Sequence, residues 1–371
     1  MIVINARFLT QELRGIQRFA EQTSLALKQL RDDVVFVAPP GIKMHDSAKA
    51  LDVQCIGRSN GHFWEQVELP LYLQRHGKPL LVSLSSTAPV FYKNQIATHH
   101  DINYVRYPQS YSWAFRTLYR TLTPILLARL RSLLTVSNFS RGEISQFYGY
   151  PEKQIFVVPN AVSEAFQPGQ PLKDKTDYLL AVSSPSAHKN FNRMIQAFLT
   201  LRGQENLQLH IVGAANEIFA DPDLQRLACR DPRIRFLGRL SDSELIKQYQ
   251  GATAFVFPSL YEGFGIPPLE AQACGCPVLA ANAASIPEVL QASALYFDPL
   301  DVGHIAAAME RIISDLPLRQ SLRRRGLNNV ARFSWEDSAR RVSHQIDILR
   351  PFVSGPSPIE STVPESSSSK L

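Results

Sequence analysis

Short apolar runs alternate with helix-length segments along almost the whole chain, and no other feature of the sequence constrains the fold as much. Strands buried on both faces need apolar residues throughout, so this alternation is typical of parallel sheets covered by helices. We predict six strands in each half: Ile2–Asn5, Val34–Ala38, Leu80–Ser83, Gln95–His99, Leu133–Val136, Ile155–Val158, Tyr178–Val182, Leu207–Val212, Ile234–Leu237, Ala254–Phe257, Pro277–Ala281 and Ala294–Phe297. Because 371 residues are many for one core, two doubly wound, Rossmann-like α/β domains are expected.

The domain boundary is expected where the sequence becomes polar and rich in Pro and Gly, at residues 167–173. This linker separates a first domain, residues 1–166, from a second, residues 174–334. A helix is predicted over 335–352, and the Ser- and Pro-rich segment 353–371 is predicted to be disordered. Ligands of open parallel sheets bind beyond the carboxyl ends of the strands, so the expected site is the cleft between the two domains.

The charge of the chain indicates an anionic partner. A formal net charge of +6 and a pI near 9.1 suit a membrane surface, a nucleic acid or a phosphorylated substrate. Nucleic acid is disfavoured because no recognised binding motif accompanies the charge. The N-terminus lacks a secretory signal and no apolar run is long enough to span a bilayer, so we expect a cytoplasmic protein, with peripheral association at the inner face of the plasma membrane as an option. Four scattered cysteines predict neither disulfides nor a bound metal.

The segment Glu262–Glu270 carries the strongest chemical signal. It runs from a predicted buried strand into a predicted helix, with Pro267 suited to the first helical position. Gly263 and Gly265 allow backbone to approach a ligand closely, and a helix start favours phosphate. The flanking carboxylates, with Glu270 expected in the first helical turn, would repel phosphate and are expected to bind hydroxyls. A ligand with phosphate in the middle and polyols at both ends is a nucleotide sugar; the alternative is an ordinary glycine turn with solvated acids.

The same segment resembles the E-x7-E signature of the retaining glycosyltransferases of family four, or glycosyltransferase group 1, which have the two-domain GT-B fold. The match continues through Ala271–Val278, Ser285–Val289 and Asp298-Pro299. The resemblance implies two Rossmann-like domains facing across a cleft, a C-terminal helix that crosses back to the first domain, and a nucleotide-diphosphate sugar as substrate. It also implies that Glu270 holds the ribose hydroxyls and Glu262 the transferred sugar.

The resemblance implies further site residues on both sides of the cleft. His100 and Asp101, at the end of a predicted strand, match the family's His-Asp pair, with His100 beside the donor sugar. Lys189 matches the phosphate-binding lysine, and Gly15, before a long predicted helix, resembles the glycine loop. The backbone N–H groups of Phe264–Ile266 would help Lys189 to offset charge on the departing diphosphate.

The phosphate-binding side departs from the family pattern. The family commonly carries Arg five residues before the lysine or directly before it, and these places hold Ser184 and His188. Either a protonated His188 contributes to phosphate binding, or backbone donors contribute more. Arg18 is a second phosphate candidate, equally well explained as a solvated helix residue. Ser137 and Asn138 are interpreted as helix-capping residues.

A basic stretch, residues 102–141, contains six arginines and no acid. Apolar residues within it follow helical spacing, Arg116, Arg120 and Arg131 are expected on one flank, and Pro124 is expected to interrupt or kink the helix. A basic amphipathic surface with aromatic residues could rest on anionic lipid. The alternative is an ordinary helix packed on the sheet with a solvated basic side.

The expected function is a retaining, metal-independent glycosyltransferase that moves a hexose to a growing surface polysaccharide or a polyprenyl-diphosphate-linked glycan. GDP-mannose is the first expected donor, by likeness to bacterial mannosyltransferases, and UDP-glucose is the second. No cofactor besides this substrate is expected. Two alternatives stay open, a nucleotide-sugar epimerase of similar architecture and a non-catalytic partner in glycan assembly. A dehydrogenase is disfavoured because no G-x-G-x-x-G follows a predicted strand.

Overall fold

The computed structural model describes four ranges of the chain: residues 1–169, 177–182, 186–213 and 222–349, with side chains from residue 225 onwards in the last range. The end of the predicted linker (170–173), Ser184 and the predicted tail 353–371 lie outside the described residues.

The first sheet has seven parallel strands in the order β3-β2-β1-β4-β5-β6-β7. Its strands are β1 Ile2–Asn5, β2 Val34–Ala38, β3 Gln54–Cys55, β4 Leu80–Ser83, β5 Gln95–Thr98, β6 Ser132–Thr135 and β7 Ile155–Val157. The six strands predicted here are confirmed to within one residue at each end. β3 escapes prediction because both of its residues are exposed at the edge of the sheet, where no apolar run is needed.

Seven α-helices of the first domain are described: α1 Gly15–Leu30, α2 His45–Leu51, α3 Gly61–Phe63, α4 Leu69–Arg75, α5 Asn103–Arg106, α6 Trp113–Leu127 and α7 Asn138–Tyr148. A π-helical turn covers Trp64–Glu68, and 3-10 turns cover Arg7–Thr10, Pro108–Ser110 and Glu152–Gln154. The side chain of Ser137 accepts the N–H of Ser140 and so caps α7, as predicted. Pro124 lies inside α6, which ends three residues later.

The second sheet has six parallel strands in the order β10-β9-β8-β11-β12-β13. They are β8 Tyr178–Val182, β9 Gln208–Val212, β10 Ile234–Gly238, β11 Ala254–Phe257, β12 Val278–Ala281 and β13 Ala294–Phe297, and all six were predicted. The helices described around them are α8 Phe191–Leu199, α9 Pro222–Arg230, α10 Asp242–Gly251, α11 Ile266–Ala273, α12 Ile286–Leu290, α13 Val302–Ser314 and α14 Leu316–Val330. Two 3-10 turns cover Ala187–Lys189 and Gln291–Ser293.

The last described helix, α15 Trp335–Leu349, packs against α1 of the first domain. The ring centroids of Trp335 and Phe19 lie 6.3 Å apart. Arg31 pairs with Asp347, with 2.6 Å between Nη1 and Oδ1. The hydroxyl of Ser338 donates to the carbonyl of Pro159 at 2.6 Å. The helix therefore packs on the first domain although it follows the second in the chain.

Strand order reverses in both sheets beside the first strand, between β1 and β4 and between β8 and β11. Open parallel sheets bind ligands at the carboxyl ends of strands beside such a reversal. The segment after β1 leads to Gly15 at the start of α1, and the loop after β5 carries the His100-Asp101 pair. The segments after β8 and β11 carry Lys189 and Glu262. Topology alone thus brings the predicted site residues to facing edges of the two sheets.

Candidate active site

The glycine turn, residues Glu262–Gly265, connects the fully buried strand β11 to α11. Gly265 has a φ of 94°, a left-handed conformation that glycine adopts without strain, and a Cβ there would lie 3.4 Å from the ring of Phe257. α11 begins at Ile266, so Pro267 is its second residue and not its first. Glu270 accordingly lies in the second helical turn, which corrects the prediction of the first.

One side chain, that of Ser285, binds two carbonyl groups of the glycine turn. The hydroxyl of Ser285 donates to the carbonyls of Glu262, at 2.9 Å, and Phe264, at 3.1 Å. The C=O and N–H of a trans peptide point in opposite directions, so the N–H groups of Gly263 and Gly265 turn away from Ser285. Within the described part of the chain, no acceptor meets the N–H groups of Gly263, Phe264 and Gly265. Unpaired N–H groups before a helix start favour an anion.

Lys189 and Glu262 form an ion pair at 2.6 Å in which both side chains are mostly buried. Lys189 ends a 3-10 turn and is followed by Asn190, whose φ is 58°. The side-chain amide of Asn190 donates to the carbonyls of Pro258, at 3.1 Å, and Pro299, at 2.7 Å. These bonds fix the loop after β8 against the loop after β11, and so fix Lys189 beside the glycine turn.

Asp101 brings a second carboxylate to the same place from the first domain. A Cβ built on Gly263 would lie 3.0 Å from Oδ2 of Asp101, so the two backbones approach as closely as a glycine permits. Burial raises the pKa of Asp101 to about 6; the backbone N–H of Asn103 opposes this rise by donating to the carboxylate, and the charge of Glu262 adds to it.

His100 lines the same edge of the first sheet. Its ring Nε2 lies 3.1 Å from the carbonyl of Leu84, and its ring meets Phe19 edge-on with centroids 5.0 Å apart. Burial lowers the pKa of His100 to about 4, so at neutral pH the ring is uncharged and Nε2–H donates to Leu84. His99 instead lies 3.2 Å from the hydroxyl of Tyr104, among the aromatic residues of the first domain.

Glu270 is buried, and the hydroxyl of Tyr249 donates to its carboxylate at 3.2 Å. Burial raises the pKa of Glu270 to about 7, and the charge of Arg18 and the Tyr249 hydrogen bond oppose this rise. A carboxylate with this environment gains from any ligand that supplies hydroxyl donors, because such donors favour its ionised form.

Two helix N-termini meet across the cleft. A Cβ built on Gly15, the first residue of α1, would lie 3.9 Å from the side chain of Ile266, the first residue of α11. Both helices direct the positive ends of their dipoles to this place. One turn further along α1, Arg18 forms two hydrogen bonds to Asp242 of the second domain, at 2.9 and 3.1 Å.

His188 links the phosphate side of the second domain to the first domain. Its Nε2 lies 3.0 Å from the side-chain amide of Asn103, and its Nδ1 lies 3.2 Å from the hydroxyl of Ser110. Burial and the neighbouring charge of Lys189 lower the pKa of His188 to about 4. The ring is therefore uncharged at neutral pH, which favours the alternative in which backbone donors carry the phosphate.

For several residues of this region the sequence gives no role, although Glu288 lies within the family match at Ser285–Val289. Tyr111 lies near enough to Asp101 and Glu262 for their charges to raise the pKa of its hydroxyl, in addition to burial. Ser140 and Glu288 make contacts across the cleft, which are described below. A pair of serines three residues apart and a single glutamate early in a helix are common patterns, so only the three-dimensional arrangement distinguishes them.

The basic stretch 102–141 differs from its prediction. Arg106 pairs with Glu143, and Arg141 pairs with Glu152, so two of its charges are neutralised by acids outside the stretch. Arg131 lies beyond the end of α6 and bonds Asn94, so its predicted place on one helical flank with Arg116 and Arg120 is wrong. The solvent side of α6 presents Trp113, 73% exposed, together with Leu118, Arg120 and Ile125.

Across the described ranges, no helix is long and apolar enough to cross a membrane. The same part of the chain contains no group of three or more His, Cys, Asp or Glu side chains that could hold a metal ion.

Two family models together match most of the chain. The model described as Glycosyltransferase Family 4 matches residues 13–166, and the model described as Glycosyl transferases group 1 matches residues 162–329. O-antigen chain mannosyltransferase B of Escherichia coli is 30% identical over 68% of this chain and 70% of its own length. O-antigen chain mannosyltransferase RfbU of Salmonella typhimurium is 30% identical over 76% of both chains.

Solved structures of the same architecture are more distant in sequence. Anabaena HepE in complex with UDP and glucose superposes with a TM-score of 0.74 at 15% identity, covering 94% of this chain and all of its own. WaaG, a glycosyltransferase involved in lipopolysaccharide biosynthesis, superposes with a TM-score of 0.70 at 14% identity, covering 93% and 99%. The fold is therefore the GT-B fold. The family models and the O-antigen relatives favour a glycosyltransferase over the epimerase alternative. The chain belongs to family 4 of the glycosyltransferases, described also as glycosyltransferase group 1.

Proposed function

We propose that this glycosyltransferase moves a hexose, mannose being favoured, from a nucleotide-diphosphate sugar to a lipid-linked or polysaccharide acceptor in surface-glycan synthesis. The observation that carries the proposal is the convergence of Lys189, the N-termini of α1 and α11, and the unpaired N–H groups of the glycine turn. This place suits a diphosphate, and Glu262 and Glu270 on either side suit the hydroxyls of a hexose and a ribose. Mannose is favoured because both O-antigen relatives are named mannosyltransferases.

The proposed reaction retains the configuration of the anomeric carbon. The bond from this carbon to the diphosphate oxygen breaks, and its electron pair leaves with the diphosphate. The acceptor hydroxyl oxygen bonds to the same face of the carbon, and its proton passes to the departing diphosphate. Lys189 and the turn N–H groups stabilise the charge that grows on the leaving group, while Asp101 and Glu262 stabilise the positive charge on the sugar ring. His100, held through Leu84, orients the sugar.

We further propose that transfer needs no metal ion, because one ammonium group and several backbone N–H groups face the place assigned to the diphosphate. The test is incubation of the purified protein with EDTA and a panel of nucleotide sugars, with GDP-mannose first and UDP-glucose second. Selective binding and slow hydrolysis of one donor would support a metal-independent transferase and name its sugar. Absence of binding to every donor would contradict the proposal and favour a non-catalytic partner in glycan assembly.

Donor affinity should depend on pH through Glu270. Its pKa is raised from 4.5 to about 7, so below pH 7 the free enzyme holds mostly the protonated form, which cannot accept both ribose hydroxyls. At pH 6 about a tenth is ionised, so the dissociation constant of the selected donor should be about tenfold higher than above pH 8. Calorimetric titration from pH 5.5 to 8.5 measures this. Glu270→Gln should bind more weakly and lose the pH dependence; equal pH dependence in both proteins would contradict the role of Glu270.

For the acceptor side, we propose that α6 rests on an anionic membrane that carries a polyprenyl-diphosphate-linked glycan. Supporting this, an exposed Trp113 and two exposed aliphatic side chains share the solvent side of α6 with Arg120. Leu118 and Leu122 also line an apolar pocket with Val90 of the first domain. Exposed apolar groups beside basic ones suit the interface of an anionic bilayer.

Substitution of this surface should weaken binding to anionic vesicles. Trp113→Ser with Arg120→Glu should lower the partition coefficient on phosphatidylglycerol vesicles at least tenfold, because an interfacial aromatic and two units of charge are lost. Flotation assays measure the bound fraction. Leu316→Ser with Arg324→Glu, a matched change on exposed positions of α14, should leave binding unchanged. Equal binding of both variants to anionic vesicles would contradict the proposal that α6 rests on the membrane.

A further inference from the structure

α7 of the first domain contacts the glycine turn of the second domain through two hydroxyls. Ser137 donates to the carbonyl of Gly263 at 2.6 Å, and Ser140 donates to the same carbonyl at 3.1 Å. All three residues are buried. Ser137 and Ser140 are among the buried polar residues, and the backbone of Gly263 lies against Asp101. A buried carbonyl with two hydroxyl donors has both of its lone pairs satisfied, so this contact fixes the plane of the peptide.

The same peptide carries the N–H of Phe264. Because a trans peptide plane that turns its carbonyl towards α7 turns its N–H the opposite way, the Phe264 N–H points to the side of the cleft away from α7. In the first sheet β4 and β5 separate β1, which precedes Gly15, from β6 and α7. Ser285 holds the two neighbouring peptides from within the second domain. Of the three turn peptides, the middle one is therefore oriented by the first domain.

A second contact closes the clasp, by which we mean Ser137, Ser140 and Glu288. The carboxylate of Glu288, in α12 of the second domain, accepts the backbone N–H groups of Asn138 at 2.8 Å and Phe139 at 2.9 Å. It also accepts the side-chain amide of Asn138 at 2.9 Å. A carboxylate is favoured at the N-terminus of an α-helix because it pairs otherwise free N–H groups and meets the positive end of the dipole. Glu288 thus holds the start of α7, the same helix end that carries both serines.

We propose that Ser137, Ser140 and Glu288 are positioning residues that aim the Phe264 N–H at the donor diphosphate only when the two domains are closed. The inference rests on the proposed function, in which the glycine turn receives the diphosphate. In an open arrangement the Gly263 carbonyl loses both hydroxyls and its peptide is free to rotate, so the turn lacks one of its oriented donors. Closure, which also brings His100 and Asp101 against Gly263, thereby assembles the charge-stabilising backbone at the moment the acceptor domain arrives.

The clasp variant combines Ser140→Ala with Glu288→Gln. It is compared with wild type and with Ser145→Ala, a matched serine change in α7. Ser137 is left intact because it also caps α7. Donor affinity, to which Lys189 and Glu270 contribute without the clasp, should change less than threefold, while kcat for the donor selected by the panel should fall about tenfold to a hundredfold. The melting temperature should lie slightly below that of Ser145→Ala, because the amide of Gln at position 288 is a weaker acceptor for the N–H groups at the start of α7. Ser140→Thr keeps a hydroxyl at this position. With Glu288 intact, its kcat should therefore lie between that of Ser140→Ala and that of wild type.

The outcomes separate the two levels of the inference. A wild-type protein that turns over no nucleotide sugar would overturn the proposed function, and the positioning role with it. Normal turnover in the clasp variant would overturn the positioning role alone. Equal losses in donor affinity and kcat, accompanied by a much lower melting temperature, would also overturn it, since they indicate a structural role.

Discussion

Glu262→Gln should lower kcat/KM for donor turnover about a thousandfold, because it removes the charge that pairs with Lys189 and that we propose to face the transferred sugar. The substitution keeps the size of the side chain, so folding should be preserved. Loss of this carboxylate should also lower the pKa of Asp101, because the charge of Glu262 raises that pKa in the wild type. At saturating donor the protonation of Glu270 no longer limits binding, so the acid limb of the kcat profile is expected near pH 6 from Asp101 and should therefore move to lower pH.

Glu310→Gln provides the matched control, since Glu310 lies exposed on α13 in the same domain. Its kinetics should equal those of the wild type. Steady-state turnover of the selected donor from pH 5 to 8 measures both the rate and the acid limb. A loss of less than tenfold in Glu262→Gln would show that Glu262 does not act on the reacting sugar.

Gly263→Ala should lower kcat about a hundredfold while leaving each domain folded. The added Cβ would lie 3.0 Å from the backbone carbonyl of His100 and 3.0 Å from Asp101. A backbone carbonyl cannot rotate away as a side chain can, so the glycine turn and the first domain must separate. Displacement of reacting groups by a fraction of an ångström to one ångström is enough for a loss of this size.

Gly142→Ala is the control for this change, because a Cβ on Gly142 in α7 would meet no atom within 4 Å among those described. That variant should keep wild-type turnover. Thermal unfolding of both variants, together with kcat and donor affinity, distinguishes failed closure from failed folding. Wild-type turnover in Gly263→Ala would show that the close approach of the two domains is not required for catalysis.

The fold is largely predictable because buried parallel strands need apolar residues at every position, as in β11. β3 shows the limit: two exposed residues at the edge of a sheet need no such pattern. The start of α11 shows a second limit of prediction. Gly265 adopts a left-handed conformation and the helix begins at Ile266, one residue before Pro267, so Glu270 lies in the second turn.

Contacts between site residues that lie far apart in the sequence cannot be predicted from local sequence patterns. Lys189 and Glu262 were identified through a family resemblance, and their 2.6 Å ion pair follows from the adjacency of β8 and β11, which no local pattern encodes. His188 contacts Asn103 and Ser110, which belong to the other domain, so these contacts cannot be read from the sequence around His188. Contacts between domains are set by tertiary packing, so sequence patterns leave them undetermined.

The configuration of the sugar that the enzyme releases from its donor shows directly whether the reaction retains the anomeric configuration. The purified protein is incubated in EDTA with the α-linked nucleotide sugar selected by the panel, GDP-mannose in our expectation. Proton NMR then follows the anomeric signals of the released hexose faster than they equilibrate. A retaining, metal-independent transferase should release the α-anomer first and should need no divalent metal. First appearance of the β-anomer, or turnover that ceases in EDTA and returns with a metal ion, would contradict the proposed mechanism.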